Sequence, residues 1–351
     1  MKRIHRLLSL FKKNDLDALL VSSWPNVRYM SGFRNTESWL LISSKGRYLI
    51  TDSRYFEQAK REAMDYQVIL RDKKSVPMIL KELAHSLRLK KMGFEAPIVT
   101  YEFYKELIKH LGNDHMCATS GLIEAFRLYK DPDEILDLKK SAKIAVKGFC
   151  YLRGQLKAGM SENQALAVLE YHTKTLGAEK PSFDIIIASG AGSSMPHYQT
   201  GHKRFKKNDM VLVDMGVVYN GFCSDLTRPI FLGKMTGLRK KVFDIVWRAQ
   251  RAGIKKAGPG VPASEVDAAS RLVIEEAGYG KYFGHGTGHG VGLEIHEAPT
   301  VSGRSKAILE PGIVITVEPG IYLPGQFGVR IEDMILITKN GNEVLTKGLD
   351  S

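Results

Sequence analysis

Four carboxylates and three histidines in the second half of the chain are of the types that hold metal ions, and their settings are not those of surface residues. Asp214 follows Val211, Leu212 and Val213, so it lies in an apolar strand where an unpaired carboxylate is costly. Asp225 comes after Tyr219-Asn220-Gly221, and an Asn-Gly turn between apolar-rich runs is a strong hairpin signal. Folding there brings both aspartates onto neighbouring strands, where cross-strand pairs approach to about 5 Å. Two carboxylates that close do not both ionise cheaply unless a cation lies between them. The alternative is that one of the pair is exposed.

The segment FGHGTGHGVGLEIHEAP, residues 283–299, sets His285, His289 and His296 among five glycines. A lone buried histidine is more often a satisfied core residue. Three within 12 residues, beside glycines that let backbone approach a ligand, favour binding or catalysis. VITVEPG (314–320) ends a strand on Glu318, and GVRIEDMILI (328–337) opens another that carries Arg330 and Glu332. Two residues apart, these share one sheet face, where they would also serve as a plain ion pair. Together, one histidine and four carboxylates at strand ends or in Gly-rich loops form an oxygen-rich donor set. Such a set suits Mn, Co, Fe or Zn, and two of its carboxylates can bridge a metal pair. No cysteine belongs to it, which excludes a structural zinc site.

At these residues the chain resembles the pita-bread metallopeptidases, which include aminopeptidase P, prolidase and methionine aminopeptidase. The motifs VDMG, SDLTR, GHGTGHGVGLEIHE, TVEPGIY and VRIED carry the likeness, with 11 positions from Asp214 to Asp225 and 14 from Glu318 to Glu332. The resemblance implies a dinuclear site held by Asp214, Asp225, His289, Glu318 and Glu332. Asp214 would bind one ion, His289 with Glu318 the other, and Asp225 and Glu332 both. Mn2+ is the expected metal, with Co2+, Zn2+ and Fe2+ as alternatives. Glu318 falls on the family's general base. His197, in SMPHY, matches the histidine that stabilises the tetrahedral intermediate, and His296 the one that contacts the substrate carbonyl or the residue after the cleavage point. His285 and Arg330 match residues that support proton movement and orient the acidic groups.

DALLVSSWPNVRYMSGF and LITDSRYFEQAK resemble the family's creatinase-type N-terminal domain. Methionine aminopeptidases generally lack it, so its presence implies peptide substrates with proline at the second position. In such relatives it covers part of a partner's active site, which implies a homodimer. The rivals are an aminopeptidase of the same fold with other specificity, methionine aminopeptidase-like, and a non-catalytic pita-bread binding protein. The choice between a dipeptidase and a longer-peptide aminopeptidase stays open. Arg304 matches a loop arginine of prolidases but does not decide that choice. Cys223, two before Asp225, is expected to serve core packing rather than the metals, and His202 to lie on the surface.

A chain of 351 residues suits two domains. The expected fold is an α/β creatinase-like N-terminal domain over 1–124, a connector over 125–133, and an α+β pita-bread catalytic domain over 134–351. Helices are expected over 2–13, from 55 to 64, near 76–91 and near 101–111, with strands at 17–23, 39–43, 47–51 and KMGFE. Asp131-Pro132-Asp133-Glu134 starts a helix over 133–156, with proline and acids in its first turn. Ser161 and Gln164 form a capping box for a helix over 162–176. A further helical pair is expected at 236–253 and 264–277.

The net charge of +13 is divided as +9 over residues 1–130 and +4 over the remainder. The basic residues are scattered without interleaved aromatics, which indicates a solvated basic face and no nucleic-acid partner. Three widely spaced cysteines suggest a reducing compartment. His5 and Arg6 interrupt the N-terminal apolar stretch, which argues against a signal peptide. No apolar run reaches the ~18 residues needed to span a membrane, so a cytoplasmic protein is expected.

Overall fold

The computed structural model describes residues 2–235 and 237–349. Met1, Asp350 and Ser351 lie outside them, as does Thr236, the expected first residue of one helix. Contacts divide the chain into two units, Met1–Arg127 and Leu128–Ser351.

The first unit runs α1 (Lys2–Lys13), β1 (Ala18–Val21), α2 (Trp24–Ser31), β2 (Ser38–Ser43), β3 (Arg47–Thr51) and α3 (Phe56–Glu62). It continues with β4 (Gln67–Leu70), α4 (Val76–Ser86), β5 (Met92–Glu95), α5 (Tyr101–Leu111), β6 (Met116–Thr119) and α6 (Glu124–Arg127). One sheet of order β4-β3-β2-β1-β5-β6 results, antiparallel from β1 through β3 and parallel at both flanks. The parallel flanks follow from the helices between their strands. Leu20, Leu41 and Ile50 of the sheet pack with Ile79 and Leu80 of α4 and Leu107 of α5. Helix α4 ends five residues before the expected 91, because Arg88 turns to φ 51. Helix α2 was not expected: Pro25, Asn26, Val27, Tyr29 and Met30 are all buried, so it shows no polar stripe. Strands β4 and β6 and the four-residue α6 were likewise not anticipated.

The second unit opens on α7 (Pro132–Gln155), capped by Asp131 and Glu134 in a reciprocal box, and α8 (Glu162–Thr175), capped the same way by Ser161 and Gln164. The second box was legible in sequence; at Asp131 the helix start was expected from proline and acids in the first turn, and the reciprocal box is an addition. Then come β7 (Lys180–Pro181), β8 (Ile186–Ser189), β9 (Met210–Met215), β10 (Val217–Tyr219), β11 (Phe222–Cys223) and β12 (Leu226–Phe231). The helical pair is α9 (Gly237–Lys256) and α10 (Ala263–Glu276). The chain closes with β13 (Gly288–Gly290), β14 (Glu297–Val301), β15 (Val314–Val317), β16 (Gly320–Leu323), β17 (Phe327–Arg330), β18 (Asp333–Thr338) and β19 (Gly341–Val344).

Two sheets position the acidic residues, one of order β12-β9-β8 and one of order β14-β13-β15-β18-β19. In β9, Val211, Val213 and Met215 pack with Ile144, Phe149 and Leu152 of α7 and Leu169 of α8. Side chains alternate along a strand, so Asp214 points to the opposite face. In the other sheet, Ile315 and Val317 of β15 and Ile335 and Ile337 of β18 pack with Ile254, Ala263 and Val266 of α9 and α10. By the same alternation Thr316 and Glu318 face away from those helices, as do Glu332 and Met334. Each helical pair thus takes one face of its sheet, and the carboxylates stand on the other.

The expected pairing of Asp214 with Asp225 is corrected in register. Asn220 (φ 45) and Gly221 (φ 75) make the hairpin turn, with both central residues in the left-handed region that a two-residue turn requires. However, each arm breaks, and Asp214 stands opposite Thr227. Asp225 lies in the break, between β11 and β12. The expected continuous strand over 328–337 also breaks, at Ile331 and Glu332. There Glu332 forms a bridge to Thr227, its amide donating to the Thr227 carbonyl at 3.1 Å. Both bridging candidates therefore sit at strand interruptions, where a side chain is re-aimed rather than locked into a ladder.

Candidate metal centre

One cavity of about 1020 Å3 is lined by every residue singled out in sequence for binding or catalysis: Asp214, Asp225, His289, Glu318, Glu332, His197, His285, His296 and Arg330. Asp225, His289 and Glu332 present ligand atoms that all lie within 4.8 Å of one another. His289 Nε2 is 3.3 Å from Glu318 Oε1 and 3.6 Å from Asp225 Oδ2. Its Nδ1 faces the Gly290 carbonyl at 3.0 Å and keeps a proton there, while Nε2 donates toward Glu318; loss of that second proton would free the Nε2 lone pair for a cation. The His289 amide donates to Thr316 Oγ1, which in turn donates to Glu318 Oε1, both at 3.1 Å.

Arg330 and Thr227 order the other side. Arg330 Nη2 donates to Asp214 Oδ2 at 2.5 Å, Nε to Thr227 Oγ1 at 3.1 Å and Nη1 to the Tyr322 hydroxyl at 2.8 Å. Thr227 Oγ1 donates to Glu332 Oε2 at 2.6 Å. The ion pair considered in sequence between Arg330 and Glu332 is thus not made: the arginine pairs with Asp214, and a threonine hydroxyl stands between it and Glu332. His285 Nδ1 faces the Gly286 carbonyl at 2.7 Å, leaving Nε2 to accept from Tyr322 at 2.9 Å. His296 stacks edge-on against His289, with ring centroids 4.3 Å apart. Sequence reasoning missed Thr227, Thr316 and Tyr322. Their signal was present, since each polar residue alternates with apolar ones in a strand that also carries or adjoins a ligand candidate.

Cys223, His202 and Arg304 lie apart from this arrangement. The buried Cys223 thiol points to the Leu293 carbonyl at 3.8 Å, and burial pushes it up to about 12, as suits core packing. His202 and Arg304 are exposed, as expected for His202.

Gly284, Gly286 and Gly288 line the cavity, and two of the five glycines also serve a purpose not expected. A Cβ on Gly288 would lie 2.1 Å from the Thr316 carbonyl oxygen, and one on Gly290 would lie 2.1 Å from that of Ala298. At Gly288 and Gly290 the missing Cβ admits neighbouring backbone, and so seats His289 tightly between β14 and β15.

Electrostatics favour a cation. Burial holds Asp225 and Glu332 well above the usual carboxylate range, and the neighbouring carboxylates add to it. Asp214 is raised by burial even though Arg330 opposes the shift. Burial also pushes Glu318 up, but the hydrogen bond from His289 and the charges of His289 and Arg330 outweigh it and leave Glu318 below its ordinary value. Asp214 Oδ1 is buried and accepts no hydrogen bond. Acids this crowded, with an orphaned anionic oxygen, fit divalent cations that would supply the missing charge.

A pH dependence follows from these shifts. Asp225 and Glu332 titrate higher in the folded chain than in the unfolded one, where carboxyls lie near ~4. Their contribution to stability is full below that value and is lost as pH rises through the folded values. Chelator-stripped protein should therefore have a lower Tm at pH 8 than at pH 5, and added divalent cation should restore more at pH 8. Calorimetry at the two pH values checks this; equal restoration at both would count against an acidic cation site.

Metallopeptidase family M24 matches residues 137–339, and the creatinase/prolidase N-terminal domain matches residues 3–129. The chain is similar to an uncharacterised peptidase of Bacillus subtilis, with 40% identity over 98% of this chain and 97% of that one. It is also similar to an Xaa-Pro dipeptidase of Pyrococcus horikoshii, 38% identical over 99% of this chain and 97% of that one. Among solved structures, an Xaa-Pro dipeptidase from Bacillus anthracis superposes with a TM-score of 0.96 at 41% identity, covering 100% of this chain and 98% of the other.

Proposed function

The chain belongs to metallopeptidase family M24, and from that premise we propose that it is an Xaa-Pro peptidase working with two divalent cations. It is a hydrolase with the family's creatinase-type N-terminal domain and pita-bread catalytic domain. The observation that carries the metal reading is the set of four buried or half-buried carboxylates meeting His289 in one cavity. Full-length likeness to Xaa-Pro dipeptidases supports the preference for proline.

In this reading Asp214 would hold one ion, His289 and Glu318 the other, and Asp225 and Glu332 would serve both. When bound, the ions would polarise the scissile carbonyl and lower the pKa of a water nucleophile. Glu318, held ionised by its neighbours, accepts the proton of the attacking water and returns it to the leaving proline nitrogen. His197 donates to the carbonyl oxygen as negative charge develops there. His296 holds the substrate on the cavity wall. Arg330 fixes Asp214, while Tyr322 and His285 continue its hydrogen-bond chain toward the cavity.

Mn2+ is the proposed metal, since oxygen-rich ligation with one imidazole suits it. The protein is further proposed to be a cytoplasmic homodimer. Three free cysteines support a reducing compartment, and no helix among the described residues is long and apolar enough to cross a membrane. The homodimer rests on the family resemblance. Residues 125–133 are retained as the connector, a span that contains the border between the two compact units.

The testing experiment offers Xaa-Pro dipeptides, Xaa-Pro-Yaa tripeptides and Met-Ala peptides to protein loaded with Mn, Co or Zn. Cleavage at Xaa-Pro is expected; release of methionine with Xaa-Pro bonds left intact would overturn the reading. Replacing His197 with Ala should lower kcat by about 10²- to 10³-fold, as for loss of one oxyanion donor, while bound metal stays unchanged. Elemental analysis beside turnover checks this, and a parallel loss of metal would make His197 a ligand.

A further inference from the structure

We propose that Glu162 is the positioning residue for His197, an inference that rests on the role given to His197 above. Glu162 is the first residue of α8, its side chain is fully buried, and the helix N-terminus favours its negative charge. It is not needed as a cap, because Ser161 and Gln164 already close the helix end reciprocally. Its carboxylate instead accepts four hydrogen bonds, two from Ser189 at the end of β8 and two from the loop that follows it. Oε1 receives the Ser189 amide at 3.0 Å and the Ser189 hydroxyl at 2.8 Å. Oε2 receives the Tyr198 hydroxyl at 2.8 Å and the Gly201 amide at 3.2 Å.

These donors bracket His197 on both sides, and one is its immediate neighbour. His197 and Tyr198 both line the cavity, whereas Glu162 does not. Among the described residues, no hydrogen bond holds the His197 ring itself, so its place is set by the backbone around it. Both ends of the loop are also tied to neighbouring strands. The Gly328 amide donates to Ser193 Oγ at 2.9 Å, and Thr200 Oγ1 links the Ile187 amide and the Ile185 carbonyl. Between those anchors the Tyr198 amide donates to the Met195 carbonyl at 3.2 Å and its ring packs on Ile186, Ala188 and Leu212, and the hydroxyl bond to Glu162 fixes the far end of the residue next to His197. A carboxylate can accept all four bonds at once. An amide cannot, because its NH2 would face the Gly201 amide donor.

The test is a double-mutant cycle on metal-loaded protein with an Xaa-Pro substrate, using Glu162→Gln, Tyr198→Phe and His197→Ala. Glu162→Gln is expected to lower kcat by about 10- to 100-fold, the size of effect that misplacing a reacting group produces, with KM and bound metal unchanged. In the His197→Ala background the same change should cost nothing further, because the group being positioned is gone. Tyr198→Phe should lose less and show the same dependence on His197, and it decides the matter if Glu162→Gln does not fold. Losses that multiply in the double mutants, or full kcat in Glu162→Gln, would overturn the clamp. Full turnover in His197→Ala alone would instead remove the role of His197, and the inference with it, a result distinct from either.

Discussion

Asp225→Asn and Glu332→Gln should each reduce peptide hydrolysis below about one-thousandth of the parent activity, equivalent to about 4 kcal/mol of transition-state stabilisation. Each is also expected to leave fewer than two cations bound per chain. These two acids lie with His289 at the centre of the cluster and are the groups proposed to serve both ions. Their neighbours cannot take over. Asp214 is tied to Arg330, and Glu318 to His289 and Thr316. The amides preserve shape but remove an anionic oxygen from each prospective ion. They also remove a buried acid from a crowd of like charges. The stripped variants should consequently be at least as stable as the stripped parent at pH 8, which separates lost function from lost folding. Turnover, metal content and calorimetry on the same preparations provide the check. Two full equivalents of metal in either variant would contradict the bridging role.

Gly216→Ala should cost about 3 kcal/mol or more of stability, lowering Tm by roughly 6–12 °C for a unit of this size, and should abolish activity although it removes no functional group. Gly216 follows β9 and lies between Asp214 and the turn. A Cβ there would stand 1.8 Å from the Ser224 carbonyl oxygen and 2.8 Å from the Ser224 carbonyl carbon. Both are backbone atoms, so no rotamer change relieves the contact and the two arms of the hairpin must separate. Because Asp214 precedes the glycine and Asp225 follows Ser224, the strain falls directly on the spacing of the two aspartates. Thermal denaturation and metal titration of the variant measure it. A variant with parental Tm and activity would show that the hairpin tolerates the separation.

The chemistry of this protein was more legible in the sequence than its strand breaks. The Asn220-Gly221 turn, the helix start at Asp131-Pro132, the capping box at Ser161 and the polar residues embedded in apolar runs are local signals, and they resolved correctly. The register at Asp214 was not legible, because the break at Gly216 depends on how Ser224 approaches across the hairpin. The same holds at Ile331 and Glu332, where contact with Thr227 interrupts what reads as one continuous strand. Helix α2 escaped notice because burial on nearly all sides erases the period on which helix recognition rests. Thr227 and Tyr322 were missed for a related reason. The alternation that sets each hydroxyl in a strand beside a ligand candidate was visible, but not which arginine or glutamate, distant in sequence, it would meet. The glycines around His289 announced close approach, but sequence alone did not reveal that the neighbour was backbone.

The number of cations bound per chain tests the central claim most directly. After saturation with Mn2+ and removal of excess by gel filtration, elemental analysis of the parent protein should find two equivalents, with activity rising as the second site fills. A single equivalent accompanied by full Xaa-Pro cleavage would contradict a dinuclear centre built on Asp214, Asp225, His289, Glu318 and Glu332.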